Sequence, residues 1–533
     1  MRDDERVLYG PRDDQPLPDI PLGHFILERL KQYGDKIAQI YVDSDETYTF
    51  SDLVTRAVSV AEELHDRGVQ PGDVIAVITK MSSDFTPLLV GGLLVGAVTA
   101  PLSPSFDNRV MTALLKIYQP KYIFCDPNFA TAVEQVIPHL DSHPELLQFG
   151  RWSAWDEFIQ RRSSPNYNPM EIPSFWEREA IIMCSSGTTG FPKGVILTHK
   201  SILAQMIVAI GPHVELMRSD DTVLQLSPIF WISGLFQQLL PLVSGATVVI
   251  LSSFSADKIL KTIQEYKVTE LFVSPNLAVM LAKTPSCNQY DLSTLRFIMC
   301  SSTTMSGKSQ AMVETALNSR LSQWYATTEA IMVLGHTSRD QVKKGSSGRL
   351  QPRVKAKVVD LTTGKCVGPM VWGELCISSP WLTKGYYGNS KAMVDDQGWF
   401  HTGDMVYYDE DECFYVVDRI SDIIKYKDKQ ISPSEIEELL MQHPGVKDAA
   451  VMGFKCKVDH DECLLTAVIR KLGSNVTEKQ LVEYLASNME EHKWLKGGVI
   501  FMESIPRTPT GKIQRHILRE QINQGKKESR TTA

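Results

Sequence analysis

Short apolar runs that alternate with amphipathic helical patterns restrict the possible folds of this chain more than any other feature. The apolar runs lie at residues 74–78, 121–125, 223–226, 247–251, 271–274 and 297–300. Helical patterns lie between them, as at 110–117 and at 257–266, where Ile259, Leu260 and Ile263 share one face. This order is typical of parallel sheets covered by helices. It predicts two similar αβ layers.

The pattern changes in the second half of the chain to short strands with frequent turn signals. Between Gly348 and Asp418 these signals include Gly364 and the acidic run 409–412. Short strands joined by tight turns predict a small β-barrel in this region. With the two αβ layers, the barrel would complete a large N-terminal domain over residues 1–418.

A new helix is predicted directly after this region. Ser432, Pro433 and Glu435 are residue types favoured at the N-cap, N1 and N3 positions of a helix. Strand-like runs at 449–452 and 464–469 and a helical pattern at 478–489 follow. They predict a smaller α+β C-terminal domain over residues 419–533, with a polar tail that frays from Gln521. The predicted fold class is α/β.

The overall charge argues against a nucleic-acid partner. The chain has 533 residues, a formal net charge of -8 and a pI near 5.9. Because this charge does not attract polyanions in general, any phosphate site must be built locally. The hydrophobic content of 43% is enough for packed cores and excludes a disordered chain.

No pattern in the sequence predicts export or a membrane span. Residues 1–14 mix acidic and basic side chains and lack the apolar segment of a signal peptide. The most apolar stretch, 88–102, is short and contains three glycines and a proline, so we expect a buried helix and strand there. The nine cysteines form no CxxC pair. This favours reduced thiols and a cytoplasmic location.

The strongest local signal is a glycine loop rich in hydroxyl side chains. It consists of Ser185, Ser186, Gly187, Thr188, Thr189, Gly190, Phe191, Pro192, Lys193 and Gly194. An apolar strand precedes it, and a helix is predicted to begin after Thr198. Backbone N–H groups, hydroxyls and a lysine in this setting can bind a phosphate chain. The loop is not a Walker A loop, because the spacing of its glycines and the residue after its lysine both differ.

Further short motifs follow along the chain. They are Tyr325-Ala326-Thr327-Thr328-Glu329, Gly373-Glu374-Leu375, Gly398-Trp399-Phe400-His401-Thr402-Gly403-Asp404, Asp418-Arg419 and Pro509-Thr510-Gly511-Lys512. Together with the glycine loop, this series resembles the adenylate-forming superfamily, in its luciferase-like and 4-coumarate-CoA ligase-like branch. The resemblance covers nearly the whole chain. It implies an acyl-CoA synthetase that activates a carboxylic acid with ATP and Mg²⁺ as an acyl-AMP and then transfers the acyl group to coenzyme A.

The resemblance also implies a nucleotide site. Glu329 and Thr188 are expected to hold the metal, since a hard cation prefers oxygen ligands, and Asp404 to accept both ribose hydroxyls. Outside this context, Glu329 would be a solvated carboxylate, and Asp404 with Arg419 a surface ion pair. The residues expected to contact ATP or coenzyme A are Ser185, Ser186, Gly187, Thr188, Thr189, Gly190, Lys193, Ser301, Ser302, Thr303, Gln323, Tyr325, Thr328, Asp404, Arg419, Lys427 and Lys512.

A mobile C-terminal domain with a catalytic lysine is implied in the same way. Lys512 is expected to bridge the attacking carboxylate and the α-phosphate. The segment 418–421 would be the hinge about which the domain rotates between adenylation and thioester formation. Lys425 and Lys427 would then face the site, and their alternative is a solvent-exposed hairpin. The expected catalytic residues are Lys512, Thr328, Arg419 and Lys425.

The expected acid pocket departs from that of relatives. By family position it is lined by Trp231, Ile232, Ala326 and Met305. This apolar lining without a basic residue favours a fatty or aromatic acid. The run 301–304, Ser-Ser-Thr-Thr, stands where many relatives have Gly-Gly-Ala-Pro against adenine. Asp428 replaces a glycine near the expected pantetheine path, where its charge would oppose a thiolate.

Two other functions stay open at this point. A non-catalytic acyl-adenylate or lipid-binding protein would fit the departures at Trp231, Ser301 and Asp428, although the retained phosphate loop and Lys512 argue against it. A weak luciferase-like oxygenase is disfavoured, because Ile210 and Trp231 stand where beetle luciferases have arginine and histidine. The expected partner is a small carboxylic acid, and a monomer is the default. The C-terminus lacks the Ser-Lys-Leu type of peroxisomal address.

Overall fold

The chain folds into two compact units. The computed structural model describes residues 6–150, 153–160, 164, 167–185, 192–336, 341–389, 391–426, 429–455, 462–507 and 512–531. The larger unit contains residues 7–356 and 377–400, and the smaller contains 357–376 and 401–533 together with Arg6. The boundary between residues 418 and 419 stays a prediction.

One sheet of the larger unit consists of six described strands. In order across the sheet they are Glu145–Gln148, Tyr122–Cys125, Val74–Ile78, Val98–Leu102, Glu179–Ser185 and Lys193–Thr198. Neighbouring strands are parallel except for the last pair, which is antiparallel. Val74–Ile78 and Val98–Leu102 are buried over their whole length, as expected for central parallel strands with both faces covered.

A second sheet of the larger unit consists of seven described strands. In order they are Arg320–Gln323, Phe297–Cys300, Glu270–Val273, Thr222–Gln225, Thr247–Ile250, Ile37–Tyr41 and Glu46–Thr49. All neighbours are parallel except the last pair. Ile263 and Val313 of the covering helices pack with Leu271 and Ile298 of the sheet in one apolar core. The two predicted αβ layers are therefore confirmed.

Helices cover these sheets. They are Leu22–Tyr33, Phe50–Asp66, Phe85–Leu94, Asn108–Tyr118, Ala130–Val136, Trp155–Gln160, His199–Ile210, Ile232–Ser244, Ala256–Glu265, Pro275–Ala282 and Gly307–Leu317, with 3₁₀ turns at Pro127–Phe129, Ile137–His139, Phe175–Glu177 and Cys287–Gln289. Phe85–Leu94 and the following strand are fully buried, which confirms the prediction for 88–102. None of the helices in the described part of the chain combines the length and apolar composition that a membrane crossing requires.

Smaller strands complete the larger unit. Tyr325–Thr327, Ile331–Gly335 and Arg349–Leu350 form an antiparallel sheet. The tight turn between the first two strands contains Thr328 and Glu329. Leu8–Tyr9 pairs antiparallel with residues 355 and 356.

The smaller unit begins with short strands, as the turn signals predict. Lys355–Val359, Gly373–Ser378, Phe400–Tyr408 and Phe414–Arg419 lie side by side in this order. Ile424–Tyr426 and Lys429–Ile431 then form a hairpin. The described strands pair in a linear order, and the small β-barrel stays a prediction.

The rest of the smaller unit is the predicted α+β structure. Its sheet consists of Val446–Lys455, Glu462–Arg470 and Val499–Phe501, and its helices are Pro433–Gln442, Glu478–Ala486 and Arg515–Thr531, with a 3₁₀ turn at Glu491–Lys493. Ala449 and Val451 join one core cluster, and Ala450 and Met452 join another. The first strand is therefore buried on both faces, since its side chains alternate between them. The fold is α/β with a large N-terminal part and a smaller C-terminal part.

The polar tail differs from the prediction of fraying. The last helix extends through Thr531. Leu518 and Ile522 are buried in a core cluster with the sheet, and the guanidinium of Arg515 lies 2.6 Å from the carboxylate of Glu437. These tertiary contacts stabilise a helix that its own composition does not predict.

Candidate active site

The structure describes the two ends of the glycine loop, whereas the centre of the loop lies outside the described residues. Ser185 ends one strand opposite Lys193, which begins the next. Ser186, Gly187, Thr188, Thr189 and Gly190 are outside the described part of the chain. Thr198 and Ser201 form a capping box, with N–H to hydroxyl distances of 3.0 and 2.9 Å. The helix therefore begins directly after Thr198, as predicted.

Lys193 and Glu329 contact the same tyrosine. The Tyr386 hydroxyl donates to Oε1 of Glu329 at 3.1 Å, and the Lys193 ammonium lies 4.9 Å from the centre of the Tyr386 ring. Among the described residues, no carboxylate pairs with Lys193 and only Tyr386 donates to the Glu329 carboxylate. The larger unit thus brings a cation and an anion together without joining them as an ion pair.

Backbone hydrogen bonds hold this cluster in place. The N–H of Thr383 donates to the carbonyl of Glu329 at 2.7 Å, and the N–H of Tyr387 donates to the carbonyl of Gly194 at 2.7 Å. The N–H of Ile196 donates to the carbonyl of Gly385 at 3.0 Å. The segment around Tyr386 is therefore bonded both to the strand that begins at Lys193 and to the turn that contains Glu329.

The turn that contains Thr328 and Glu329 is closed by its own residues. The Thr327 hydroxyl accepts a hydrogen bond from the N–H of Ala330 at 3.0 Å. Ile331 follows with a φ of 55°, which is unusual for a β-branched residue. Its side chain is buried. Thr328 and Glu329 are half-buried. The strained residue fixes the end of the turn, as is common at functional sites.

The segment expected against adenine keeps a glycine-like backbone without glycine. Ser302 has a φ of 86°, where a glycine would be unstrained. Ser301 is half-buried, whereas Ser302 and Thr303 are exposed. The expected contacts of these residues with the nucleotide stay predictions.

Gln323 and Met305 hold each other within the fold. The Gln323 amide accepts from the N–H of Met305 at 2.7 Å and donates to the Met305 carbonyl at 2.8 Å. The Met305 side chain is buried in the apolar core of its layer. The roles predicted for Gln323 at the nucleotide and for Met305 at the acid stay predictions.

The other pocket candidates lie at helix and strand ends. Trp231 is the N-cap residue of the helix that Ile232 begins, and both are half-buried. The Trp231 ring packs edge to face on Phe230 with centroids 5.8 Å apart. Tyr325 is half-buried and Ala326 is exposed on the short strand before the Glu329 turn. No contact joins Trp231 to Ala326 among the described contacts of these residues.

In the smaller unit, Asp404 and Arg419 form an ion pair. They face each other in register on neighbouring antiparallel strands, and Nε of Arg419 lies 2.9 Å from Oδ1 of Asp404. Asp404 is buried and Arg419 is half-buried. Arg419 also donates to the carbonyl of Thr402 at 3.1 Å. The ion pair, which was the alternative interpretation of these two residues, is therefore present with a buried carboxylate, and their expected contacts with the nucleotide stay predictions.

Glu374 supports the backbone that leads to Asp404. Its Oε2 lies 2.8 Å from Nδ1 of His401, and its Oε1 accepts from the N–H of Gly403 at 3.1 Å. Gly403 has a φ of 71°, a conformation that favours glycine. Cys376 Sγ lies 3.4 Å from the same His401 nitrogen. Side chains and backbone of two motifs that are distant in sequence are therefore joined by hydrogen bonds.

The predicted hinge segment caps the next helix. Oδ2 of Asp418 accepts from the Ser432 hydroxyl at 2.9 Å and from the N–H of Ser434 at 3.2 Å. Ser432 is the N-cap residue, as predicted, but its side chain makes no cap hydrogen bond. The hydroxyl bonds to Asp418, and the carboxylate of Asp418 caps the helix instead.

The remaining lysines, Lys425, Lys427 and Lys512, belong to the smaller unit. Lys425 is exposed on the hairpin, and Lys427 lies outside the described residues, as does Asp428. Lys512 is half-buried next to Ile513, which pairs with Arg507. The guanidinium of Arg507 makes two contacts with Asp448, of 2.7 and 3.2 Å. This bidentate pair fixes the side chain of Arg507, whose backbone pairs with that of Ile513 next to Lys512.

Sequence reasoning missed Tyr386 and the role of Glu374. Tyr386 belongs to no motif that was singled out, and its signal is a glycine followed by two tyrosines, Gly385-Tyr386-Tyr387. Glu374 was counted as part of a motif without a role. Only the fold shows that each contacts a predicted site residue or its backbone.

Comparisons with known proteins agree with these observations. The family model for AMP-binding enzymes matches residues 26–387, and that for the C-terminal domain of AMP-binding enzymes matches residues 435–512. A luciferin 4-monooxygenase from Nipponoluciola cruciata is 32% identical over 98% of this chain and 98% of its own length. The 4-coumarate-CoA ligase 3 of Arabidopsis thaliana is 32% identical over 97% of this chain and 94% of its own length.

Solved structures show the same fold. The luciferase-like enzyme from the nonluminescent Zophobas morio mealworm matches with a TM-score of 0.73 and 28% identity, over 78% of this chain and 99% of its own. ATP-bound MatB from Rhodopseudomonas palustris matches with a TM-score of 0.85 and 24% identity, over 94% and 99%. The chain therefore belongs to the AMP-binding enzyme family, the adenylate-forming superfamily that includes 4-coumarate-CoA ligases and beetle luciferases.

Proposed function

We propose that this protein is an ATP-dependent acid-thiol ligase, an acyl-CoA synthetase. It activates a fatty or aromatic carboxylic acid as an acyl-AMP and transfers the acyl group to coenzyme A. The observation that carries the proposal is the cluster of Lys193 and Glu329 around Tyr386. A lysine without a described carboxylate partner suits a phosphate, and a carboxylate close to it suits the cation that accompanies that phosphate.

The donor groups expected at this site fit Mg²⁺ and ATP. Glu329 and Thr188 would hold Mg²⁺, which supplies positive charge to the phosphate oxygens. Lys193 and the loop before it would bind the phosphates. Asp404 is a buried carboxylate paired with Arg419, which suits an acceptor for two ribose hydroxyls with a guanidinium beside the nucleotide.

The remaining nucleotide and acid contacts complete this proposal. Ser301, Ser302, Thr303, Gln323 and Tyr325 would line the adenine side of the nucleotide. Trp231, Ile232, Ala326 and Met305 would line the acid. An apolar lining with one large indole ring favours an apolar acid over a diacid, because it offers no second cation.

Adenylation then follows from charge placement. A carboxylate oxygen of the acid attacks the α-phosphorus of ATP, the bond to the oxygen that bridges the α- and β-phosphates breaks, and pyrophosphate leaves. Thr328 donates to the α-phosphate and Lys512 faces the charge that develops there. A preorganised donor of this kind lowers the activation free energy by about 3 to 4 kcal/mol.

The second half-reaction forms the thioester. The coenzyme A thiol releases its proton to water, its sulfur attacks the acyl carbonyl, the bond between the acyl carbon and the phosphate oxygen breaks, and AMP leaves. We place the domain boundary at residues 418/419, with the hinge at 418–421, so that rotation of residues 419–533 brings Lys425 and Lys427 to the site. The separate family matches to residues 26–387 and 435–512 support two such domains.

A luciferase-like oxygenase is the second candidate, supported by the luciferin 4-monooxygenase relative at 32% identity. Ile210, which ends the helix His199–Ile210, and Trp231 both stand where beetle luciferases carry polar side chains. The luciferase-like enzyme of known structure comes from a mealworm that is itself nonluminescent.

A screen of carboxylic acids tests the proposal. Pyrophosphate release is measured for each acid with and without coenzyme A, and the acyl-CoA product is identified by mass. The proposal expects acid-dependent release with thioester formation for an apolar acid, and Trp231→His should alter the preferred acid. Bright emission with beetle luciferin, or no release with any acid, would contradict it.

A further inference from the structure

We propose that Tyr386 is a positioning residue that keeps Glu329 and Lys193 apart and correctly oriented for MgATP. The inference rests on the proposed function, since it assigns Glu329 to the metal and Lys193 to the phosphates. Tyr386 touches both through different parts of its side chain. The hydroxyl bonds to the carboxylate at 3.1 Å and the ring faces the ammonium at 4.9 Å.

The two charged groups would otherwise attract each other. An ammonium and a carboxylate that share one neighbour can form a direct ion pair, which MgATP would have to break before binding. No such pair joins Lys193 to Glu329 among the described contacts. The phenol hydroxyl instead satisfies the carboxylate, and the ring face stabilises the ammonium by a cation–π contact.

Tyr386 is itself held rigidly enough for this task. The carbonyl of Gly385 and the N–H of Tyr387 bond to the strand that begins at Lys193, at 3.0 and 2.7 Å. The N–H of Thr383 bonds to the Glu329 carbonyl at 2.7 Å. Since the backbone on both sides is fixed, the side chain of Tyr386 occupies a defined place between the two charges.

Two substitutions separate the parts of the side chain. Tyr386→Phe removes the hydroxyl and keeps the ring, so it should free the Glu329 carboxylate while the Lys193 contact stays. We expect its affinity for MgATP to fall about tenfold, and its affinity for ATP without metal to fall less than about threefold. Tyr386→Leu also removes the ring and should weaken both ligands by about tenfold or more.

Tyr387→Phe is the matched control. It removes a neighbouring hydroxyl for which no described residue is a hydrogen-bond partner, and its ring still packs edge to face on Tyr118 at 5.7 Å between centroids. Its affinity for MgATP should equal that of the wild type. Circular dichroism melts of each variant show whether the fold is retained.

Calorimetric titration with MgATP and with ATP in a chelator tests the proposal, because it measures binding without requiring an acid substrate. In a Glu329→Gln background, Tyr386→Phe should cause no further loss for MgATP. A folded Tyr386→Phe variant that binds MgATP within about twofold of the wild type, or losses that add fully in the double variant, would overturn the proposal. Failure of the wild type to bind MgATP would instead overturn the proposed function.

Discussion

Replacing Glu374 by alanine should destabilise the smaller unit and weaken nucleotide binding together. The Glu374 carboxylate bonds to the His401 ring at 2.8 Å and to the N–H of Gly403 at 3.1 Å. Gly403 directly precedes Asp404, the proposed ribose ligand. The carboxylate therefore supports the backbone that carries Asp404, and its loss should affect both stability and binding.

The magnitude follows from the exposure of the two partners. The His401 side chain is 46% exposed, so its bond to Glu374 contributes less than about 1 kcal/mol. The half-buried N–H of Gly403 would lose a charged acceptor, which costs about 1 to 3 kcal/mol. The sum of about 1 to 4 kcal/mol corresponds to a fall in melting temperature of roughly 2 to 16 °C for a unit of this size.

Thermal melts and MgATP titrations of Glu374→Ala and Glu374→Gln measure both effects. The glutamine variant should fall between the wild type and the alanine variant, because its amide oxygen can still accept one hydrogen bond. The exposed Glu410→Ala is the control for loss of a carboxylate in the same unit. A melting temperature of Glu374→Ala within about 1 °C of the wild type, or lower stability with unchanged MgATP affinity, would refute the reasoning.

Three further predictions concern strain, protonation and chemistry. Ser302→Gly should raise the free energy of unfolding by about 1 kcal/mol in chemical denaturation, because a φ of 86° strains a serine. Between pH 6.5 and 4, His199→Asn should lose about 3 kcal/mol less of its free energy of unfolding than the wild type does. The exposed His139→Asn is the control. Lys512→Ala should slow acyl-AMP formation a hundredfold or more, and slow transfer from a pre-made acyl-AMP much less, in single-turnover assays.

The sign of the pH effect follows from burial. Burial lowers the pKa of His199 to about 4, and its Nδ1 accepts from the N–H of Leu22 at 3.3 Å. His199 of the unfolded chain therefore binds a proton near pH 6.5, whereas His199 of the folded chain binds one only near pH 4. The stability that comes from the neutral, buried imidazole is present above pH 6.5 and is lost as the pH falls. An unchanged pH slope in His199→Asn would contradict this assignment.

The other two predictions have equally clear contrary results. An unchanged or lower stability of Ser302→Gly would show that the left-handed backbone of Ser302 is not strained. Equal losses of Lys512→Ala in both half-reactions would show that Lys512 serves folding or both domain positions.

The buried strands of the larger unit could be predicted closely from the sequence. Val74–Ile78 and Phe297–Cys300 begin and end where their apolar runs do. A strand covered on both faces consists of apolar residues without interruption, so its sequence marks its limits. The predicted helices also appear, with ends that differ by a few residues, because helix ends depend on caps more than on periodicity.

Features that depend on tertiary contacts could not be predicted in this way. The last helix rests on Leu518 and Ile522, which lie in a mostly polar segment. The cap of the helix after Ser432 comes from Asp418, fourteen residues earlier along the chain. Neither partner can be recognised from the local pattern, since the fold decides which distant group satisfies each polar atom.

The candidate site shows the same division. Motifs in the sequence indicated Lys193 and Glu329, because their residue types and spacing match a known series. Tyr386, whose side chain contacts both of them, lies 57 positions after Glu329 along the chain. It belongs to none of the motifs that indicated the site. Its contacts with both charges follow from the course of the chain alone.

Acid-dependent exchange of labelled pyrophosphate into ATP tests the central claim most directly, because it reports reversible acyl-AMP formation before any thiol is needed. With the acid selected by the screen, the wild type should catalyse exchange that requires both the acid and Mg²⁺ and that Glu329→Gln strongly reduces. Binding of ATP and acid by the folded wild type without any exchange would contradict the claim and identify a protein that binds these ligands without activating the acid.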